Sequence, residues 1–289
     1  MLDLQSKFFL CFGFLFLIYG FKENNTTLDI LLEDAIENKS VIFEASSNGK
    51  YSGNSVRINI SNNTNSSLRI AIPAGTDYAT DDKGEQKLIQ VEDRFIALKP
   101  NGNFSGTIAA FCSEASDRCP SENSSMNISK NSNPDFTKLF VYLKGKKIDK
   151  RTYQDAVWAI SDNKSVSNII ADSRVAKDFR KYIAEITGQK NTWYTSPQSI
   201  QIDEEGNFSS ETINISGKLE FDCALGSDVH QYIHKENGEV IYKSEKTMKS
   251  KAKHIGYTFT ISVQGWEKGN YYINIHDGIN QLAKYEFSI

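Results

Sequence analysis

The feature that most constrains this 289-residue chain is a hydrophobic period that changes twice along its length. Short apolar runs come first: Val41 to Ala45, Val56 to Ile60, Leu68 to Ile72, Leu88 to Val91, Phe95 to Leu98 and Phe104 to Phe111. Turn formers such as Ser61-Asn62-Asn63-Thr64-Asn65-Ser66 and Pro100-Asn101-Gly102-Asn103 separate them, the pattern of an antiparallel sandwich or barrel. The apolar residues then move to helical offsets. Phe136, Leu139, Phe140 and Leu143 follow Asn133-Pro134-Asp135, where proline suits a first turn, and Tyr153 to Ile160 continues the helical character. Val175, Phe179, Tyr182, Ile183 and Ile186 form a stripe that Gly188 ends. Past Trp193 the short runs return: Thr212 to Ile215, Lys218 to Phe221, Val229 to His234, Val240 to Tyr242, Tyr257 to Val263, Tyr271 to Ile275 and Leu282 to Ile289.

A chain of this length can bury two cores, and the two changes of period divide it accordingly. The expected fold is mainly β with an α+β first domain: an antiparallel β-sandwich with C-terminal helices over residues 21–190, followed by an immunoglobulin-like β-sandwich over residues 191–289. Leu28 to Ile36, preceded by Thr26 and Thr27, reads as a short capped helix on the first sheet. Asn237-Gly238 predicts a tight hairpin turn, and Asp203-Glu204-Glu205-Gly206 a second turn.

At the N-terminus Lys7 precedes an apolar run from Phe8 to Tyr19, after which the polar Lys22-Glu23-Asn24-Asn25 follows at once. The run is shorter than the ~20 residues of a membrane span. Residues 1–20 are therefore expected to be a signal peptide cut near Gly20, with an uncleaved anchor as the alternative. Either implies export, to the periplasm or the medium, with no membrane span in the mature chain. Cys11 lacks the small residues that precede a lipid-modified cysteine. In an oxidising compartment Cys112 and Cys119, which bracket a polar loop, are the candidate disulfide pair, while Cys223 reads as a buried strand residue. The net charge of -3 supplies no field that would draw nucleic acid or anionic lipid. Lys243, Lys246, Lys249, Lys251, Lys253 and His254 read as a solvated connection between two strands.

Three segments carry a resemblance. Val229-His230-Gln231-Tyr232-Ile233-His234-Lys235-Glu236-Asn237-Gly238-Glu239-Val240-Ile241-Tyr242, then Gly269-Asn270-Tyr271-Tyr272-Ile273-Asn274-Ile275, then Tyr285-Glu286-Phe287-Ser288-Ile289 resemble the small immunoglobulin-like domains that end many secreted Gram-negative bacterial proteins. Some of those are uncharacterised, and others are sorting domains of the type IX secretion pathway. This chain differs from the sorting pattern in ending on an apolar strand instead of a basic tail. In the first domain, residues 154–163 resemble uncharacterised exported bacterial proteins.

Catalytic motifs are absent. All four histidines, His230, His234, His254 and His276, lie beyond residue 190, so the first domain has no base for a serine or cysteine nucleophile. A Gly-x-Ser-x-Gly elbow, a phosphate loop and a dinucleotide fingerprint are missing too. No catalytic residue, cofactor or metal ligand set is assigned. His230 and His234 share a strand face without a third ligand, and Asp77, Asp81, Asp82 and Glu85 read as a solvated loop tip in preference to a weak calcium site. Trp158 reads as core. Trp193, Tyr194 and Trp266 are the candidate ligand contacts, since indole and phenol faces stack on a sugar or a partner, although sealing a junction or plugging a sandwich end is the commoner use. The expectation is an exported, non-catalytic binding or interaction protein of the bacterial cell envelope, its partner a protein or glycan. A carboxylate-dependent polysaccharide hydrolase and an inhibitor of secreted peptidases are the alternatives.

Overall fold

The computed structural model describes residues 28–149, 152–244 and 247–289, and the expected signal peptide lies outside them. Strands β1 (Leu28–Leu31), β2 (Val41–Ser47), β3 (Asn54–Asn62), β4 (Leu68–Ile72), β5 (Thr76–Ala79), β6 (Leu88–Gln90), β7 (Arg94–Leu98), β8 (Asn103–Cys112) and β9 (Asn127–Lys130) build the first unit. Helices α1 (Leu32–Glu37), α2 (Pro134–Leu143), α3 (Tyr153–Ser161) and α4 (Arg174–Thr187) complete it. An antiparallel sheet ordered β2-β3-β8-β6-β5-β9 packs against a smaller β1-β4-β7 sheet. Strand alternation sorts the side chains. Ile108, Ala110 and Cys112 of β8 and Leu88 of β6 enter the core between the sheets, while Phe111 and Ile89 point the other way, into a second core under α2, α3 and α4.

The helices begin and end where local chemistry dictates. Asn133 Oδ1 accepts the Asp135 amide at 2.9 Å with Pro134 in the first turn, and Ser173 Oγ accepts the Ala176 amide at 3.1 Å. Gly188 closes α4 at φ 70°. Leu28 to Ile36 is not one helix. Leu28–Leu31 pairs in parallel with β4, and only Leu32–Glu37 turns helical. Over so few residues an apolar spacing suits either period, and the open edge of β4 decides.

The second unit comprises β10 (Tyr194–Thr195), β11 (Gln198–Ile202), β12 (Phe208–Thr212), β13 (Asn214–Asp222), β14 (Asp228–Lys235), β15 (Val240–Lys243), β16 (Met248–Lys249), β17 (His254–Ser262), β18 (Asn270–His276) and β19 (Gln281–Ser288). Sheets β10-β13-β17 and β15-β14-β18-β19 face each other across Leu219, Ile233, Ile273, Ile275 and Phe287, a two-sheet antiparallel sandwich. Gly238 turns the β14–β15 hairpin at φ 89°. The β11–β12 hairpin leaves this sandwich. Its Ile200 and Phe208 pack on the first core, and Gly206 at its tip accepts the Cys119 amide at 2.8 Å. A Cβ on Gly206 would stand 3.2 Å from the Cys119 carbonyl, so the close approach requires glycine.

Candidate functional site

A cleft of about 660 Å³ lies where the segment leaving α4 meets the edge of the second sandwich. Arg180 of α4 positions that segment. Buried to 6% exposure, its guanidinium donates to the Tyr194 and Thr192 carbonyls at 2.9 Å each and to Asn191 Oδ1 at 3.1 Å. The chain so held delivers Trp193 and Tyr194 to β19. Trp193 Nε1 donates to the Glu286 carbonyl at 2.6 Å, and the Tyr194 hydroxyl accepts the Ser288 amide at 3.0 Å. Gly217 admits the indole: a Cβ there would lie 2.7 Å from it. Trp193 meets Tyr285 edge to face at 5.1 Å, and Lys284 Nζ sits 4.5 Å over the Tyr272 ring.

Polar groups rim this aromatic lining. Lys284 binds Glu286 at 2.8 Å, Asn270 Nδ2 donates to Glu236 at 3.1 Å, and Ser288 Oγ donates to Asn270 Oδ1 at 2.8 Å. The Lys284 bond holds the Glu286 carboxyl below its ordinary range. Half-buried indole and phenol groups beside amides and paired charges suit a ligand with apolar faces and many hydroxyls.

Of the aromatics singled out in the sequence, Trp193 and Tyr194 line this cleft and Trp266 does not. Trp266 packs on Tyr271 at 5.3 Å, outside the lining. Tyr272, Lys284 and Glu286 escaped sequence reasoning because they reach the cleft from two strands. The available signal was the strand register, which sets Tyr272 opposite Glu286.

Elsewhere the structure redistributes the other candidates. The acidic loop is a solvated tip only at Asp81 and Asp82, which are exposed, whereas Asp77 and Glu85 are each 7% exposed. Asp77 accepts Asn131 Nδ2 at 2.9 Å, Asp82 accepts the Gly84 amide at 2.8 Å and Arg118 at 2.7 Å, and Glu85 accepts the Ser121 amide at 2.9 Å and Thr80 Oγ1 at 2.7 Å. These carboxylates anchor neighbouring chain. Burial raises Asp77 to about 6 against the Asn131 bond. It raises Asp155 to about 7 in a 210 Å³ cavity shared with Lys147, Asp149 and Asp172. His230 and His234 do share a face, but their rings stack on His276 and Tyr272. Among the described residues no three His, Cys, Asp or Glu side chains are placed to hold a metal. Trp158 is buried core at 6% exposure.

Cys112 and Cys119 are buried free thiols in mutual contact, not a disulfide in this structure. Burial pushes the Cys112 thiol up, and the Cys112 contact holds Cys119 down. Cys223 is only partly buried, contrary to expectation, because it follows the last residue of β13. The loop between Cys112 and Cys119 does not stand free: the Gln86 amide donates to the Arg118 carbonyl at 2.8 Å and the Arg118 amide to the Gly84 carbonyl at 3.0 Å.

Neither a scan against family models nor a search of the curated proteins gave a match to this chain.

Proposed function

We propose that this chain is an exported binding protein of the bacterial cell envelope, that the Trp193 cleft is its ligand site, and that the ligand is a glycan. The observation that carries this reading is the placement of Trp193 in a cleft of about 660 Å³, with the Thr192 and Tyr194 carbonyls on either side of it held by Arg180 and its own indole nitrogen donating to the Glu286 carbonyl. A partly exposed indole fixed in this way can stack on a sugar face with little ordering cost, while the rim amides and charges meet its hydroxyls. The rim carboxylates favour binding over cleavage. Lys284 holds the Glu286 carboxyl below its ordinary range, which suits an acceptor for sugar hydroxyls over the proton donor that glycoside cleavage requires. Export rests on the apolar run of residues 8–19, and it would bring Cys112 and Cys119 into a compartment where their contact can become a disulfide.

The test is a soluble-glycan panel titrated into the intact protein and its Trp193→Ala variant, with release of reducing ends followed in parallel. Binding that the variant loses, without reducing ends appearing, is expected. Binding that the variant retains would remove the cleft from the proposal.

Asp155 favours a second reading. A carboxyl raised to about 7 by burial, beside Asp149 and Asp172, has the acidity of a general acid. Reducing-end release abolished by Asp155→Asn and untouched by Trp193→Ala would establish a hydrolase in place of a binding protein.

A further inference from the structure

Three of the four histidines lie in one column of rings that starts in the Trp193 cleft. Lys284 covers Tyr272, Tyr272 stacks on His234 at 4.7 Å between centroids, Tyr232 follows at 6.2 Å, His276 at 5.0 Å from Tyr232, and His230 at 5.3 Å from His276. The register explains the column: β14 and β18 set His230 opposite His276 and His234 opposite Tyr272, and period two keeps Tyr232 on the same face. Because the rings cover one another, the column offers ring edges more than ring faces, and its inner nitrogens are engaged: His234 Nδ1 by the Gly238 carbonyl at 3.1 Å and His276 Nδ1 by the Gly278 amide at 3.1 Å. Tyr272 and Lys284 belong to both the column and the cleft.

From this continuity we infer that the outer face of the second sandwich extends the glycan site and binds a carboxylate-bearing polysaccharide, taking up protons as it does so. The inference rests on the glycan reading of the Trp193 cleft. Charge and hydrogen bonding argue for the carboxylate. Lys243 of β15, Lys249 of β16 and Lys284 of β19 are matched near the column by Asp228 of β14, Asp277 after β18 and Glu286 of β19. Asp277 is engaged by the Ile279 and Asn280 amides, and Glu286 by Lys284. Charge is thus balanced while the imidazoles are neutral, and protonating three of them makes the face cationic.

The buried polar atoms point the same way. His234 Nδ1 lies 3.1 Å from the Gly238 carbonyl, so it carries the hydrogen and leaves Nε2 an acceptor. Nε2 and Asn274 Oδ1 are both buried without a partner. Both atoms are acceptors that lack a donor in the neutral face. Burial first, and then the proximity of His230, hold His276 below its ordinary range. Base stacking would require open ring faces, and the column offers edges, so a sugar carboxylate fits where a nucleobase does not.

The test titrates polygalacturonate and alginate, each beside its methyl ester, into the full chain at pH 7.5 and 5.5. The acidic polymers should bind about tenfold tighter at the lower pH, with measurable proton uptake, and the esters should show no such gain. His230→Gln with His276→Gln should flatten the pH dependence while Trp193→Ala weakens acid and ester alike. Lys243→Gln, a change at an exposed position, should weaken the acidic polymers alone and serves if the histidine variant fails to fold. Ester binding that is sensitive to Trp193→Ala, with no preference for the acid, leaves the glycan cleft standing and overturns this inference. Failure of every glycan to bind overturns both, and tighter binding of a single-stranded oligonucleotide than of either polyuronate overturns the assignment to sugar.

Discussion

The Phe208 ring meets the Trp158 indole edge to face, with 5.9 Å between centroids and 86° between planes. Tyr51 stacks on the same indole at 6.1 Å, so residues from β12, α3 and the β2–β3 connection share one aromatic cluster. A hairpin that follows the linker therefore helps close the core that precedes it. Phe208→Ala should destabilise the first unit by about 2 kcal/mol, below the usual cost of Phe truncation because the ring is only partly buried. Denaturant unfolding followed by indole fluorescence measures this, and a chain ended at residue 190 should unfold before one ended at 212. Equal midpoints would show that the hairpin merely rests on the core.

Arg180→Ala should destabilise by about 2 kcal/mol, because it removes three hydrogen bonds and leaves the part-buried Thr192 carbonyl without its guanidinium donor, while the Tyr194 carbonyl keeps the Thr192 hydroxyl at 2.7 Å. Arg180→Lys should recover only part of this, since an ammonium cannot reproduce a planar fork of donors. Both changes should also weaken glycan binding through the displaced Trp193. Calorimetric melting beside ligand titration separates the two effects, and unaltered binding in a destabilised Arg180→Ala protein would contradict the positioning role.

Asp155 gives stability a defined slope with pH. Its folded pKa of about 7 stands above the unfolded value of 3.8, so the folded state favours the protonated form. Its contribution is fully present below the unfolded value and is lost as pH rises through the folded one. The loss is about 2 kcal/mol after partial exposure is allowed for. Asp155→Asn should match the parent near pH 4 and exceed it at pH 8, measured as the difference in urea midpoint. Asp77, raised to about 6, contributes a slope of the same sign and cancels in that difference.

Oxidation should join Cys112 to Cys119. Each thiol gives up a proton and an electron to a disulfide-bearing oxidant, whose own disulfide is reduced to two thiols, and the chain becomes lighter by two hydrogens. Intact-mass measurement on protein from an oxidising compartment reads this, and stability should rise by about 2 kcal/mol for so short a loop. Cys223, partly exposed, should remain alkylatable in the folded oxidised protein. A full complement of free thiols in exported protein would remove the disulfide.

Reading outward from single residues shows why some elements were legible. The run Leu68 to Ile72 coincides with β4, and the stripe from Val175 to Ile186 lies in α4 with Gly188 at its end, because period and turn preferences are carried by a few neighbouring residues. β5 and β9 were not legible: Thr76-Asp77-Tyr78-Ala79 and Asn127-Ile128-Ser129-Lys130 lack an apolar run and become strands by pairing with each other and with β6. The same holds for the site. Trp193 and Tyr194 stood out as aromatics at a boundary, whereas Tyr272, Lys284 and Glu286 joined them only through the register of β18 and β19.

The sequence alone determined a mainly β fold with helices in its middle and set apart an aromatic pair, Trp193 and Tyr194, between the helices and the later strands. Tertiary structure decided that β11–β12 covers the first core, that Asp77 and Glu85 are buried anchors, and that three histidines form one column. Local preference acts between residues a turn apart, while partner strands, burial of a carboxylate and the meeting of rings depend on contacts between segments tens of residues apart, which no short window of sequence encodes.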